Sequence, residues 1–295
     1  MPDNQPITAA AVDMGSNTFH LVIAKVQSPN ISVIDRIREP VRLAAGFDDQ
    51  MRLTPDAVDR ALNCLQRFGE RLRHIPPAYV RVVGTNAMRK ATDCQEFLDK
   101  AHDVLGHPIN IISGFEEARL IYAGVTNSIE MEAERRLLID IGGGSTEIVV
   151  GEAYEPLVVE SLDIGALSMM LKFFPDGEIT QASMRNAVLA AAVDIQPYIA
   201  SIDKAQWEEA IGSSGSILAV HQVIKDKGLG TDAITYTALK QLRDTVIDMG
   251  KIKPSDFPSI NPDRALVFAG GLAILLALFK NLGIEKMKTT EGGIR

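Results

Sequence analysis

Two stretches decide the fold: AVDMGSNTFHLVIA at residues 11–24 and LIDIGGGSTEIVVG at residues 138–151. They superimpose without a gap at an offset of 127, so that Asp13 meets Asp140, Gly15 meets Gly142, Thr18 meets Ser145, and Leu21-Val22-Ile23 meets Ile148-Val149-Val150. Each copy reads as an apolar strand ending in aspartate, a tight turn of small polar residues, and an apolar return strand. Two unrelated hairpins could share an Asp-x-Gly turn. An ungapped match at the head of each half of a 295-residue chain favours duplication instead, because that length corresponds to about two domains.

Outward from these hairpins, Ile31–Ile37 alternates as a third strand, and Thr54-Pro55 opens a helix with Thr54 as N-cap. Residues 79–85 read as a strand, Ala87–Val104 as a helix and Pro108–Ile112 as a short strand, after which Ser113 opens another helix. The polar stretch 126–136 is expected to link two domains, 1–128 and 129–295. Beyond it, PLVVESLDIG continues the second sheet, Thr180–Ile199 is a long helix, and EAIGSSGSILAVHQVI is strand, turn and helix. The alternation of strands and helices specifies an α/β protein.

Composition narrows the function classes. Apolar residues make up 46% and charged residues 23%, as in ordinary globular chains, and the net charge is −8. A polycation that holds a nucleic acid polymer by bulk attraction is excluded. Cys64 and Cys94 form no C-x-x-C, which excludes a disulfide framework and a cysteine zinc module. The N-terminus lacks a signal-peptide pattern, and the apolar run Ala265–Phe279 is too short to span a bilayer comfortably, so it reads as a core helix. The expectation is a soluble, cytoplasmic protein without integral membrane contact. A homodimer is among the assemblies the sequence leaves open.

A turn of Gly, Ser and Thr can direct successive backbone N–H groups into one concavity, a nest for an oxyanion such as phosphate. The turns at Gly15, Ser16, Asn17, Thr18 and at Gly142, Gly143, Gly144, Ser145, Thr146 are therefore candidate phosphate sites. Asp13 and Asp140, at the adjoining strand ends, suit Mg²⁺, which takes one or two carboxylates together with waters and phosphate oxygens. Two such nests, if they face each other across an interdomain cleft, would grip a phosphate chain from both sides.

The phrases VDMGSNTFHLVIA, VVGTNAMRKA, ISGFEEARLIYAGV, LIDIGGGSTEIVVG and GSSGSILAVHQV occur in an order that resembles the exopolyphosphatase / guanosine pentaphosphate phosphohydrolase family. The resemblance runs from about residue 9 to residue 295. It implies duplicated ribonuclease-H-like domains of the actin/Hsp70/sugar-kinase superfamily with an interdomain cleft. The closing TTEGGIR resembles a run that continues in the family, which suggests a longer polypeptide with further helical domains.

Individual residues carry competing readings. Ser113 and Glu116 form an S-x-x-E capping box, whereas Glu117 is not needed for the cap. The resemblance makes Glu117 the catalytic base that takes a proton from the attacking water; the alternative is a favourable charge at a helix N-terminus. Asp140 and Glu147 flank the second turn and can hold Mg²⁺ across two strands, directly or through water. In the first copy His20 replaces Glu147, so metal chemistry is expected in the second half, and His20 reads as a packed or hydrogen-bonded strand residue. Thr85 and Arg89 lie where a strand exits into a helix, an anion-binding arrangement, and GSSGS supplies Gly215 and Ser216 either as phosphate donors or as a tight connection. Lys90 and the remaining histidines read as packing or surface residues.

The expected reaction is hydrolysis of the terminal phosphoanhydride bond of inorganic polyphosphate, releasing orthophosphate. Hydrolysis of the 5′-terminal phosphate of guanosine pentaphosphate is the alternative that these motifs do not separate. An ATP-dependent kinase would need an adenosine pocket and an acceptor site, and neither has a sequence signal. A phosphate-chain-binding sensor without catalysis would have no use for Glu117, Asp140 and Glu147 together.

Overall fold

The computed structural model describes residues 6–27, 30–129 and 133–294. Two compact units part at Ser113/Gly114. The first contains β1 (Ile7–Met14), β2 (Phe19–Gln27), β3 (Asn30–Glu39), α1 (Pro55–Leu72), β4 (Val80–Gly84), α2 (Asn86–Lys90), α3 (Cys94–Leu105) and β5 (Asn110–Ile111). Its sheet order is β3-β2-β1-β4-β5, with β1–β3 an antiparallel meander and β4 and β5 parallel to β1. Strand residues alternate, so Ala10, Val12, Met14, Phe19 and Leu21 point to one face. There they form a core with Ala61, Leu65 and Phe68 of α1 and with Phe97, Ala101 and Leu105 of α3.

The second unit contains α4 (Gly114–Thr126), β6 (Arg135–Ile141), β7 (Thr146–Glu152), β8 (Glu155–Leu162), α5 (Ala166–Phe173), α6 (Gln181–Ile195), α7 (Ile199–Lys204), β9 (Glu209–Ser213), α8 (Ser214–Asp226), β10 (Ile234–Thr235), α9 (Tyr236–Met249), α10 (Pro262–Ala265), α11 (Phe268–Asn281) and β11 (Lys286–Thr289). Its sheet runs β8-β7-β6-β9-β11, with β10 added at the edge. Strand directions repeat those of the first unit: β6–β8 form an antiparallel meander, and β9 and β11 run parallel to β6. Even an irregularity repeats, since the β2–β3 register shifts between Ile23 and Ala24 and the β7–β8 register between Val150 and Gly151. The skipped residues, Ile34 and Leu157, are both exposed aliphatics.

The units differ in how their sheets are covered. In the second, Ala118, Ile121, Tyr122 and Val125 of α4 pack on Leu138, Val149 and Ile211, with Val159 beside them. In the first, the register-equivalent row of Ala11, Val22, Arg81 and Arg36 lines an open trough of about 420 Å³ floored by alanines 9, 11 and 24. The packing of α4 also places the boundary earlier than the expected 128/129. That helix follows β5 in the chain but buries its apolar stripe on the second sheet.

Two expected helices change on folding, and a third keeps its start without its capping bond. The helix expected over 87–104 is broken at residues 91–93, where the Thr92 N–H donates to the Met51 carbonyl (3.0 Å) and the Asp93 carboxylate accepts the Leu53 N–H (3.2 Å). Tertiary ties to the 51–53 loop outweigh local periodicity there. The helix expected to reach Ile199 ends at Ile195, and Pro197, which has no N–H to donate, sits in the following turn. Thr54 does stand at the N-cap of α1, yet its hydroxyl makes no capping bond, and Pro55 with its preset φ begins the helix. The apolar run folds as the core helix α11, buried from Phe268 to Phe279, and no helix among the described residues is long and apolar enough to cross a membrane.

Candidate active site

The second hairpin assembles a row of polar groups at one end of its sheet. Asp140 on β6 is the register partner of Glu147 on β7 and of Ser213 on β9, and Glu147 in turn faces Ser161 on β8. Strand alternation puts Asp140 on the face of Leu138, Glu147 on that of Val149, and Ser161 on that of Val159. This is the face that α4 covers. The row therefore lies beside the first turn of α4, which carries Glu116 and Glu117.

The electrostatics agree with this placement. Glu147 is only 2% exposed, and its pKa lies well above the ordinary carboxyl range. Burial is the first cause, followed by the charges of Glu117 and Asp140; hydrogen bonds from Ser145 and Ser161 oppose the shift. Three carboxyl groups thus interact at one point. Glu117 is half-buried, whereas Glu116 is exposed and faces Arg119 across 3.9 Å. The two neighbouring glutamates differ in surroundings: the charge of Glu117 acts on Glu147, and Glu116 lies near Arg119.

The turn between β6 and β7 is anchored from below. The Gly142 N–H donates to the Ser145 carbonyl at 2.9 Å, and a side chain at residue 142 would press on that same oxygen at 3.1 Å. The Gly142 carbonyl accepts from Ala166, and that of Gly143 from Leu167 and Ser168, at the start of α5. Committing these carbonyls inward suits a nest, whose N–H groups converge on the opposite side. Gly165 makes the approach feasible, because a β-carbon there would lie 2.4 Å from the Gly143 carbonyl carbon. Thr146 is fully buried and donates its hydroxyl to the Ile164 carbonyl at 2.7 Å. That hydroxyl is used to close the loop, so a phosphate contact at this residue would have to come from the backbone.

A third turn leads from β9 into α8. Ser214 holds a left-handed φ of 82°, and the Ser213 hydroxyl donates to the Gly292 carbonyl at 2.6 Å. The Ser216 Oγ is buried without a hydrogen-bond partner, as expected of a donor reserved for a ligand. The Arg264 guanidinium lies against Gly215, close enough that a β-carbon on residue 215 would meet its Nη2 at 2.3 Å.

The first unit shows the same turn with different groups. Gly15 is held against the Thr18 carbonyl as Gly142 is against that of Ser145, with a β-carbon contact of 2.9 Å. The Ser16 and Asn17 carbonyls accept from Ala44 and Arg42, at 2.9 and 2.8 Å. Asn17 Nδ2 and Thr18 Oγ1 are buried and unpartnered, which fits two donors awaiting an anion. Asp13 has His20 as its partner across the ladder, and His20 has Arg38, so the row Asp13–His20–Arg38 replaces Asp140–Glu147–Ser161. Thr85 is buried with its hydroxyl 3.4 Å from the Met14 carbonyl, and Arg89 donates to the Ile112 carbonyl at 2.8 Å.

The donor set was tested against a divalent cation. No group of three or more His, Cys, Asp and Glu among the described residues stands in a metal-holding arrangement. A carboxylate pair fits better, since Mg²⁺ retains several waters and takes one or two protein carboxylates. Glu147, buried and pressed by two like charges, is a group whose ionised form a cation would favour. Sequence reasoning did not find Ser161 or Arg264. Carrying the repeat into the third strand would have found Ser161; Arg264 lies far along the chain from the turn it touches and has no local signal.

Comparison with known proteins follows the same lines. A guanosine-5′-triphosphate,3′-diphosphate pyrophosphatase of Vibrio cholerae serotype O1 is 38% identical over 286 residues, 97% of this chain. The chain spans 57% of the length of that curated relative. An exopolyphosphatase from Cytophaga hutchinsonii has a TM-score of 0.85 at 22% identity, covering 98% of this chain and 95% of that one. A Ppx/GppA family member of Aquifex aeolicus has a TM-score of 0.78 at 22% identity, covering 99% and 95%. These structures share the fold. The model of the Ppx/GppA phosphatase family matches residues 22–295, and the chain belongs to that family.

Proposed function

We propose that this protein hydrolyses the terminal phosphoanhydride bond of inorganic polyphosphate and releases orthophosphate. The observation that carries the reading is the convergence of Glu117, Asp140 and Glu147 beside a Gly/Ser turn. Backbone N–H groups of the turn beyond Gly142, whose own N–H is taken by the Ser145 carbonyl, hold the terminal phosphoryl group. Asp140 and Glu147 are the residues that would hold Mg²⁺, which when bound neutralises charge developing on the phosphoryl oxygens. Glu117 orients a water for in-line attack and accepts its proton. Phosphoryl transfer of this kind depends mainly on positioning and electrostatics, the contributions that a rigid turn and fixed carboxylates supply.

The unpartnered donors Asn17 Nδ2 and Thr18 Oγ1 of the first unit, together with Arg89, and Ser216 Oγ of the second unit are assigned to phosphate oxygens. Asp13, at the matching strand end of the first unit, is proposed to hold Mg²⁺ through water. A cytoplasmic location fits such a substrate, and self-association as a homodimer is to be tested by sedimentation.

Guanosine pentaphosphate is the second reading, favoured by the 38% identity to the Vibrio cholerae pyrophosphatase. Phosphate release measured side by side on long-chain polyphosphate and on guanosine pentaphosphate, with and without Mg²⁺, tests both. Release from polyphosphate only with Mg²⁺ supports the first reading. Release from the nucleotide alone replaces it with the second, and release from neither removes both.

A further inference from the structure

The polar row of the second sheet does not end at Glu147. Ser161, its register partner on β8, donates its hydroxyl to Glu147 Oε1 at 3.0 Å. Ser145 supplies a second hydrogen bond to the same carboxyl group. A carboxylate has two oxygens, so a donor fixed on one of them decides how the other is presented. Glu147 is 2% exposed, and bulk water offers it little alternative solvation.

The repeat places a polar residue at this third-strand position in both units. In the first unit the residue across from His20 is Arg38, a cation; in the second unit the residue across from Glu147 is a small hydroxyl. Each row places on its third strand a hydrogen-bond donor beside the group on its second strand.

We propose that Ser161 is a positioning residue for the divalent cation: its hydroxyl fixes Oε1 of Glu147 so that the other carboxylate oxygen turns toward Asp140. This rests on the assignment of Asp140 and Glu147 to the metal made above. Hydrogen bonds to ligating groups orient the ligand, and their loss costs about 10–100-fold in metal affinity.

The test titrates the full chain with Mn²⁺ alone, followed by electron paramagnetic resonance of the free ion, in the wild type and in Ser161→Ala, Ser161→Thr and Glu147→Gln. Ser161→Ala is expected to bind Mn²⁺ about tenfold more weakly, and Ser161→Thr, which keeps the hydroxyl, within about twofold of wild type. Raising Mg²⁺ should restore phosphate release in Ser161→Ala, whereas a packing defect would lower release at every concentration. Wild-type Mn²⁺ affinity in Ser161→Ala, with affinity lost in Glu147→Gln, overturns the positioning role alone. Wild-type affinity in Glu147→Gln overturns the metal assignment on which it rests.

Discussion

The two hairpins have one backbone and two chemistries. Both turns bring a glycine against the carbonyl three residues on, and both sheets have the same order. Yet one row reads Asp13–His20–Arg38 and the other Asp140–Glu147–Ser161. The turn, held by backbone contacts, recurs without particular side chains. The acidic row does not, since it depends on particular side chains and on a helix over the sheet. Here α4 supplies Glu117 to the second row, while the corresponding face of the first sheet is an open trough.

The contrast can be broken first at the base. Glu117→Gln keeps shape and removes basicity, and phosphate release should fall about a thousandfold with little change in substrate affinity. Unchanged turnover would remove Glu117 from the mechanism. The next largest effect is expected from Glu147→His, which makes the second row resemble the first. Release at a fixed Mg²⁺ concentration should drop about a hundredfold, and a Mg²⁺ titration should show the requirement rising.

On the other side of the comparison, Thr18→Val deletes a hydroxyl of the first unit that has no partner within the protein. KM should rise about tenfold with kcat retained, the loss expected for one hydrogen bond to a charged group. A fall in kcat at constant KM would place that turn in the chemical step instead.

Stability separates the two sheet faces. Leu138→Ala opens a cavity under α4 and should cost about 3 kcal/mol in urea denaturation. Val22→Ala, which lies in the trough and matches Val149 in the repeat, should cost less than about 1 kcal/mol. The smallest effect concerns pH. Because the folded-state pKa of Glu147 is raised, the folded protein binds more protons than the unfolded chain between the ordinary carboxyl range and that raised value. In the absence of metal, stability should therefore fall as pH climbs through this window and level off above it. Thermal denaturation of Glu147→Gln should lack this component of the slope; an identical slope would mean that Glu147 is not the titrating group.

The duplicated hairpins and the α/β class were legible in the sequence, because strand alternation and turn chemistry are local. What was not legible is tertiary. The helix α4 follows β5 in the chain, and only the fit of Ile121 and Val125 on Leu138 and Val149 assigns it to the second unit. The break at Thr92–Asp93 depends on hydrogen bonds to a loop some forty residues earlier in the chain. Nothing in the turn itself foretells that the Ile164 carbonyl will claim the Thr146 hydroxyl. Ser161 was hidden because the repeat was followed for two strands and not three.

The skipped residues Ile34 and Leu157 bear on ancestry. Selection for a phosphate nest accounts for a similar turn in both halves, but gives no reason to insert an extra residue in the third strand at the matching step. A shared irregularity of that kind is most simply a copied one, older than the divergence of the two rows. The segment that doubled was then a three-stranded meander that already carried this irregularity, and the two rows diverged on a shared backbone.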